Sequence, residues 1–289
     1  MDENLKLSPY IRVAWNDYQN TPWVVGPRVI FDYEILYLAE GELKLTVEGN
    51  VYHVKAGQVI LLRPKQEHLI QSENCSRIHQ PHIHFDLQED ESSPHAYVSF
   101  STLAEIPPSE YGLFREDRLK EICPNCPSVI TPKDPKEVER LILEIITEYE
   151  NRKIYSDIIV RGKFLQLLGN LLREAVWGGS KDHSEYEGAM QQAREIIIHN
   201  LDRPITLEEI AQRVNISKYY LCRQFKKVYG ISPIQYHLNA RIDRAKWLLI
   251  HTDKSLTTIA SEVGFDDIYS FSRAFKNREN ISPSKYRKT

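Results

Sequence analysis

Long apolar runs are missing from these 289 residues; nowhere does the chain approach the roughly 18 to 20 consecutive apolar side chains that a bilayer-spanning helix needs. The opening Met1-Asp2-Glu3-Asn4 has no basic segment followed by an apolar one, so no secretory leader is expected and the chain reads as cytoplasmic. Cysteine is scarce. The four, Cys75, Cys123, Cys126 and Cys222, do not make a disulfide scaffold, and a cytoplasmic chain of this size can form its core without one. Cys123-Pro-Asn-Cys126 has the spacing of zinc and redox sites, yet no second Cys/His pair follows at zinc-finger spacing; a structural role is expected.

Excess charge of one sign is also absent overall, the net value being −3. Its distribution is uneven. Residues 1–184 hold 20 basic against 28 acidic side chains, whereas residues 185–289 hold 17 against 12. A basic module joined to an acidic one suits a polyanion-binding end attached to something else. The length predicts two domains, and 42% hydrophobic with 27% charged residues describes globular domains with sizeable cores.

From Arg28 to about Leu87 short strands are expected. Leu43, Leu45 and Val47 alternate with Lys44, Thr46 and Glu48, the period of a strand with one buried face. Turn signals at Ala39-Glu40-Gly41, Glu48-Gly49-Asn50 and Lys55-Ala56-Gly57 lie too close together for parallel crossovers. An antiparallel barrel or sandwich follows. From Asp134 to about Trp177 the period lengthens: Val138, Leu141, Ile142, Ile145 and Ile146 make one helical stripe, and Ile158, Ile159, Phe164, Leu165, Leu168, Leu171 and Leu172 a second. This helical pair either packs on the barrel or forms a dimer contact. Gly178 to Ser184 reads as a linker.

Beyond the linker the chain repeats itself. Arg223-Gln224-Phe225-Lys226 is echoed 50 residues on by Arg273-Ala274-Phe275-Lys276, Ile231-Ser232-Pro233 by Ile281-Ser282-Pro283, and Tyr236 by Tyr286. Upstream, Ile210-Ala211 with Val214 answers to Ile259-Ala260 with Val263 at an offset of 49, so one extra residue sits in the second turn. Each copy predicts a helix, a tight turn and a second helix: Thr206 and Glu209 form a capping box, Asn215-Ile216 breaks the first helix, Ser217 caps the next, and Gly230 ends it. In the second copy Gly264-Phe265 turns the chain, and Asp266 or Asp267 caps Ile268 to Arg278. Such short turns cross the helices steeply and leave the second one prominent enough to enter a major groove.

Leu221, Phe225 and Val228, with Phe271 and Phe275, are expected in cores. The opposite faces carry Tyr219, Cys222, Arg223 and Lys226 in one copy and Tyr269, Ser272, Arg273 and Lys276 in the other. An arginine at the front of a groove-bound helix pairs bidentately with guanine, whereas Lys226, Lys227 and Lys276 suit phosphates. Ser232-Pro233 starts a connecting helix with the apolar stripe Ile234, Leu238, Ile242, Ala245 and Leu249, continuing to about Ile250. That is a rod of roughly 25 Å, comparable with the roughly 34 Å between successive major-groove openings.

These residues resemble the AraC family of bacterial transcription regulators. The motifs are Ile210-Ala211, Leu221-x-Arg223-x-Phe225-Lys226, Gly230-Ile231-Ser232-Pro233, Ile259-Ala260-x-x-Val263-Gly264-Phe265, Phe271-x-Arg273-x-Phe275-Lys276 and Ser282-Pro283-x-x-Tyr286-Arg287, spanning about 190–288. The resemblance implies that both recognition helices enter adjacent major grooves and that Tyr219, Cys222, Arg223, Tyr269, Ser272 and Arg273 approach bases. The part before them is similar to the cupin-like sensor barrel of the family's sugar-responsive branch. That similarity implies a barrel mouth binding a carbohydrate or related metabolite, and following helices that dimerise. His79-Gln80-Pro81-His82-Ile83-His84-Phe85 falls on the strand lining that pocket. His82 and His84 share a face, and His79 joins them if Pro81 bends the chain. Trp15 and Trp23 are further candidates.

The expected architecture is therefore a two-domain α+β chain. Residues 1–177 form a cupin-like antiparallel β-barrel with a helical pair for sensing and dimerisation, 178–185 a linker, and 186–289 an all-α domain of two helix-turn-helix units joined by a long helix. The expected protein is a sequence-specific regulator, an activator in the usual case, of carbohydrate or related genes. Its partners are double-stranded promoter DNA, a small-molecule effector, a second copy of itself and RNA polymerase if it activates. No catalytic residue, metal or cofactor is assigned. A cupin-type metalloprotein or enzyme with a DNA-binding tail stays as the alternative, because His68 joins His82 and His84 as a possible ligand set, with only Gln88 and Glu89 following at approximate spacing.

Overall fold

The computed structural model describes residues 7–20, 22–73, 77–177 and 183–288. Contacts divide the chain into two compact units, Met1–Lys181 and Asp182–Thr289. Of the expected linker, residues 178–182 lie outside the described residues, while 183–185 already belong to a helix. Among the described residues no helix is long and apolar enough to cross a membrane.

Among the described residues the first unit opens with eight strands: β1 (Tyr10–Asn20), β2 (Val24–Arg28), β3 (Tyr33–Tyr37), β4 (Glu42–Val47), β5 (Asn50–Lys55), β6 (Val59–Leu62), β7 (His68–Ser72) and β8 (Arg77–Asp86). After them come a short helix α1 (Leu119–Ile122), β9 (Val129–Ile130), α2 (Pro135–Asn151) and α3 (Ser156–Trp177). They form a five-stranded sheet, β1-β8-β3-β6-β9, and a four-stranded sheet, β2-β7-β4-β5, with every strand pairing antiparallel. As the alternation in β4 predicts, Leu43, Leu45 and Val47 are buried. They meet Leu36, Ile60, Leu62 and Ile70 in one core cluster. β3 and β6 are buried on both faces, because their alternate residues Tyr33, Ile35, Tyr37, Val59 and Leu61 join a second cluster with α2 and α3.

Asp134 caps α2 by accepting from the Glu137 amide, and Pro135 follows at the first turn, where its missing N–H costs nothing. All five stripe residues of α2 are buried. At roughly 2 kcal/mol for each large aliphatic side chain, that stripe is enough to hold the helix on the sheet. In α3, Val160, Phe164, Leu167, Leu168 and Leu171 are buried, but Ile158, Ile159 and Leu165 of the expected stripe are exposed. Cys123 and Cys126 lie in the same core. Burial first, then the neighbouring Cys123, pushes the Cys126 thiol up to about 12, so it stays protonated at neutral pH.

The second unit is helical: α4 (His183–Ile198), α5 (Leu207–Arg213), α6 (Lys218–Tyr229), α7 (Pro233–His251), α8 (Leu256–Glu262), α9 (Ile268–Glu279) and α10 (Pro283–Tyr286). Thr206, Ser217, Ser232 and Asp267 cap their helices as the sequence predicts, and Ser255 and Ser282 cap α8 and α10, each accepting from a backbone amide two or three residues on. One core collects Met190, Ala193, Ile197, Ile210, Leu221 and Phe225; the other collects Ile242, Ala245, Leu249, Ile259, Phe271 and Phe275. The connecting helix α7 thus supplies its C-terminal stripe to the second core. Ile234, expected in that stripe, is exposed, and Leu238 is half-buried.

Candidate functional site

The repeat extends into the backbone. Asn215 (φ 55°) and Gly264 (φ 75°), 49 residues apart, both turn the chain in the left-handed region. Just after each, Ile216 donates to the Ala211 carbonyl at 3.0 Å and Phe265 to that of Ala260 at 2.9 Å. The register then gains one residue at Asp266, for it is Asp267, not Asp266, that caps α9, accepting from Tyr269 and Ser270 at 2.7 and 2.8 Å. Gly264 has no freedom to change: a Cβ there would stand 2.6 Å from the Arg203 amide nitrogen.

Burial along residues 221–230 and 271–280 agrees position by position. Leu221 and Phe225 face inward, as do Phe271 and Phe275, while Arg223, Lys226 and Lys227 are exposed on α6, and Arg273 and Lys276 on α9. Tyr219 and Tyr269, at the front of each helix, are 80% and 79% exposed, so neither ring is spent on its core. Cys222 and Ser272 are half-buried between these faces. Arg223 lies over the Tyr220 ring at 5.5 Å. Arg273 lines a groove of about 470 Å³ with Gln235, Asn239, Asn277 and Arg278. The composition of these helices alone does not point to Gln235 and Asn239, because they come from α7. With 19 residues, α7 is about 28 Å long.

A second site lies in the first unit, a cavity of about 210 Å³ whose lining includes Trp15, Trp23, His82 and His84. β8 pairs with β1 in step from Trp15↔His82 to Asn20↔Arg77, so Pro81 does not re-aim the strand. His79 therefore faces away from His82 and His84 and is absent from the lining. It stacks on Tyr18 at 4.0 Å and shares a 2.7 Å hydrogen bond with Asn16. This corrects the expectation that grouped it with them.

The cavity also contains residues that strand patterning alone does not point to. Arg28, Glu34 and Gln80 join its lining. Arg28 donates to Glu34 at 2.6 Å and to His68 Nε2 at 2.9 Å, forming a buried ion pair tied to a buried imidazole. Burial would raise the Glu34 carboxyl, but Arg28, with His84, His82 and His68 behind it, pulls it down to about 2. Burial, reinforced by Arg28, holds His68 down to about 4, and burial lowers His82 as well. His84 bonds Asp32 at 3.0 Å. Arg12 on β1 donates to Asp32 and Asp86 at 2.7 and 2.8 Å, so the wall behind the histidines is a continuous buried charge network. The only sequence signal for Glu34 is a carboxylate inside the apolar run Tyr33 to Tyr37.

Residues 17–168 match the family described as AraC-like ligand binding domain, and residues 210–289 match that described as helix-turn-helix domain. The Msm operon regulatory protein of Streptococcus mutans is 28% identical over 91% of this chain and 86% of its own length. The lactose operon transcription activator of Staphylococcus xylosus is 26% identical over 89% of this chain and 85% of its own. Among solved structures, the C-terminal domain of AraT, a response regulator from Geobacillus stearothermophilus, is 36% identical over 35% of this chain and 84% of that one, with a TM-score of 0.34.

Proposed function

The chain belongs to the AraC family of transcription regulators, and we propose from that premise that a hydroxyl-rich metabolite of the carbohydrate class, bound in the barrel cavity, controls how the two recognition helices engage promoter DNA. The observation that carries the reading is the cavity's make-up. Trp15 and Trp23 offer apolar ring faces, while Gln80 and the largely neutral His82 offer polar groups to hydroxyls. Arg28 and Glu34 neutralise one another, which favours an uncharged guest. His84 belongs to the proposed contacts; His79, facing away, does not. One of the relatives above is named for the lactose operon.

On the DNA side the proposed base-reading residues are Tyr219, Cys222, Arg223, Tyr269, Ser272 and Arg273, with Lys226, Lys227 and Lys276 on phosphates. The proposed division of labour assigns residues 1–177 to sensing and self-association and 186–289 to DNA. Self-association rests on α3 and the turn before it, where Ile154 and Ile158 are 83% and 63% exposed and Tyr155 and Ile159 are exposed beside them. An apolar patch of this kind is rare on a solitary surface, and a second copy of the same face covers it by two-fold symmetry. As in the usual case for the family, activation through RNA polymerase is the proposed outcome.

Calorimetry of the full chain against a carbohydrate panel, with and without its operator duplex, tests the coupling. Linkage requires the effector's affinity to differ between DNA-bound and free protein. Equal affinities in both states contradict the reading.

A further inference from the structure

We propose that the barrel cavity also holds a divalent transition-metal ion, on Glu34, His82 and His84. One ligand atom from each lies within 4.8 Å of the others, and all three side chains are buried. Two paired strands fix the spacing: Glu34 stands opposite His84 in the β3–β8 register, and Leu36 opposite His82. Both histidines lie on β8 two residues apart and so project on one side.

Ring orientation supports coordination. Nδ1 of His82 is engaged by the Gln80 carbonyl at 3.1 Å, and Nδ1 of His84 by the Asp32 carboxylate at 3.0 Å. With Nδ1–H donating outward, each Nε2 keeps its lone pair, and that of His84 lies 3.6 Å from Glu34 Oε2. A carboxylate or carbonyl behind a histidine is the outer shell that orients metal-binding imidazoles. Two imidazoles and one carboxylate suit first-row transition ions and leave coordination positions for an outside ligand.

Arg28 sets the affinity. Its guanidinium holds Glu34 at 2.6 Å and also occupies His68 Nε2 at 2.9 Å. A metal ion must displace it or share the carboxylate with it, so the wild-type site is weakened, and removing the guanidinium frees the Glu34 carboxylate for the ion. A neutral cluster of packing histidines would not respond to Arg28 in this way.

The test uses the full chain, stripped by chelator and dialysed, then titrated with Co²⁺ followed by visible absorption and with Zn²⁺ followed by calorimetry. One ion per chain is expected, with Co²⁺ ligand-field bands. Glu34→Gln and His82→Ala should each weaken uptake by roughly tenfold or more, Arg28→Met should tighten it, and His53→Ala, at an exposed histidine on β5, should leave it unchanged. Circular dichroism accompanies each variant; should His82→Ala fail to fold, Glu34→Gln and Arg28→Met carry the decision. No uptake by the wild type, uptake indifferent to Glu34→Gln, or no gain in Arg28→Met overturns the proposal. The readout is metal alone, so a failed carbohydrate titration leaves it standing, and an absent metal leaves the carbohydrate reading standing.

Discussion

Arg223 and Arg273 stand 50 residues apart at the same position of two helices, two residues beyond a buried Leu221 in one and a buried Phe271 in the other, and both are exposed. Each precedes a lysine by three residues, Lys226 and Lys276, which places one longer and one shorter cation on the same face. The equivalence argues for equal roles. Replacing either arginine by alanine is expected to lose roughly 1 to 3 kcal/mol on the specific duplex and to relax preference at its own base pairs. Lys226→Ala should instead weaken all duplexes alike and reduce the salt slope by about one. Anisotropy titrations on specific and scrambled duplexes at several salt concentrations distinguish these outcomes; arginine variants with unchanged specificity would show that other side chains read the bases.

The two turns differ in what they tolerate. Gly264→Ala adds a Cβ against the Arg203 backbone in a left-handed conformation, and an overall loss on the order of 3 kcal/mol is expected, read as a lower urea midpoint of the full chain's helical transition. Asn215→Gly, at the matching position, relieves a non-glycine left-handed residue and should be neutral or slightly stabilising. Equal effects at both positions would mean that packing against Arg203 does not matter.

Stability of the barrel should depend on pH through His68. Its folded value of about 4 lies below the ordinary 6.5, so between those values the unfolded chain binds the extra proton and stability falls as pH falls. The size is on the order of 3 kcal/mol. Glu34, held at about 2, contributes stability that is present above about 4.5 and lost from there downward, a lower window. Urea midpoints from pH 7 to 4 should decline in the wild type and decline less in His68→Gln. A flat wild-type profile contradicts this.

Ile158→Glu on the exposed face of α3 should leave the fold intact, since the side chain makes no part of the core, while shifting a dimer toward monomer in light scattering. An unchanged mass in the variant moves the interface elsewhere.

Much of this was legible in the chain itself, for identifiable reasons. The helical repeat shows because both copies keep their caps, a left-handed turn residue and a core phenylalanine in matching places, with one extra residue at Asp266. His82 and His84 show because a strand alternates with period two. Glu34 and Arg28 did not, because their place beside the histidines depends on strand pairing between residues 40 or more apart, which no local pattern encodes. His79 would join His82 and His84 only through a bend at Pro81, and the pairing of Pro81 opposite Asn16 keeps β8 in step with β1, leaving His79 on the other face. Ile234 continues the apolar rhythm but is exposed, because in the first turns of α7 it is Pro233, Tyr236 and His237 that turn inward, Tyr236 against the first core.

The most direct test of two reading heads on one chain is hydroxyl-radical footprinting of the full protein on a duplex it selects from a random library. Two protected patches are expected on one face of the duplex, about 10 base pairs apart, with Arg223→Ala diminishing one patch and Arg273→Ala the other. A single patch, or two that weaken together whichever arginine is removed, would contradict it.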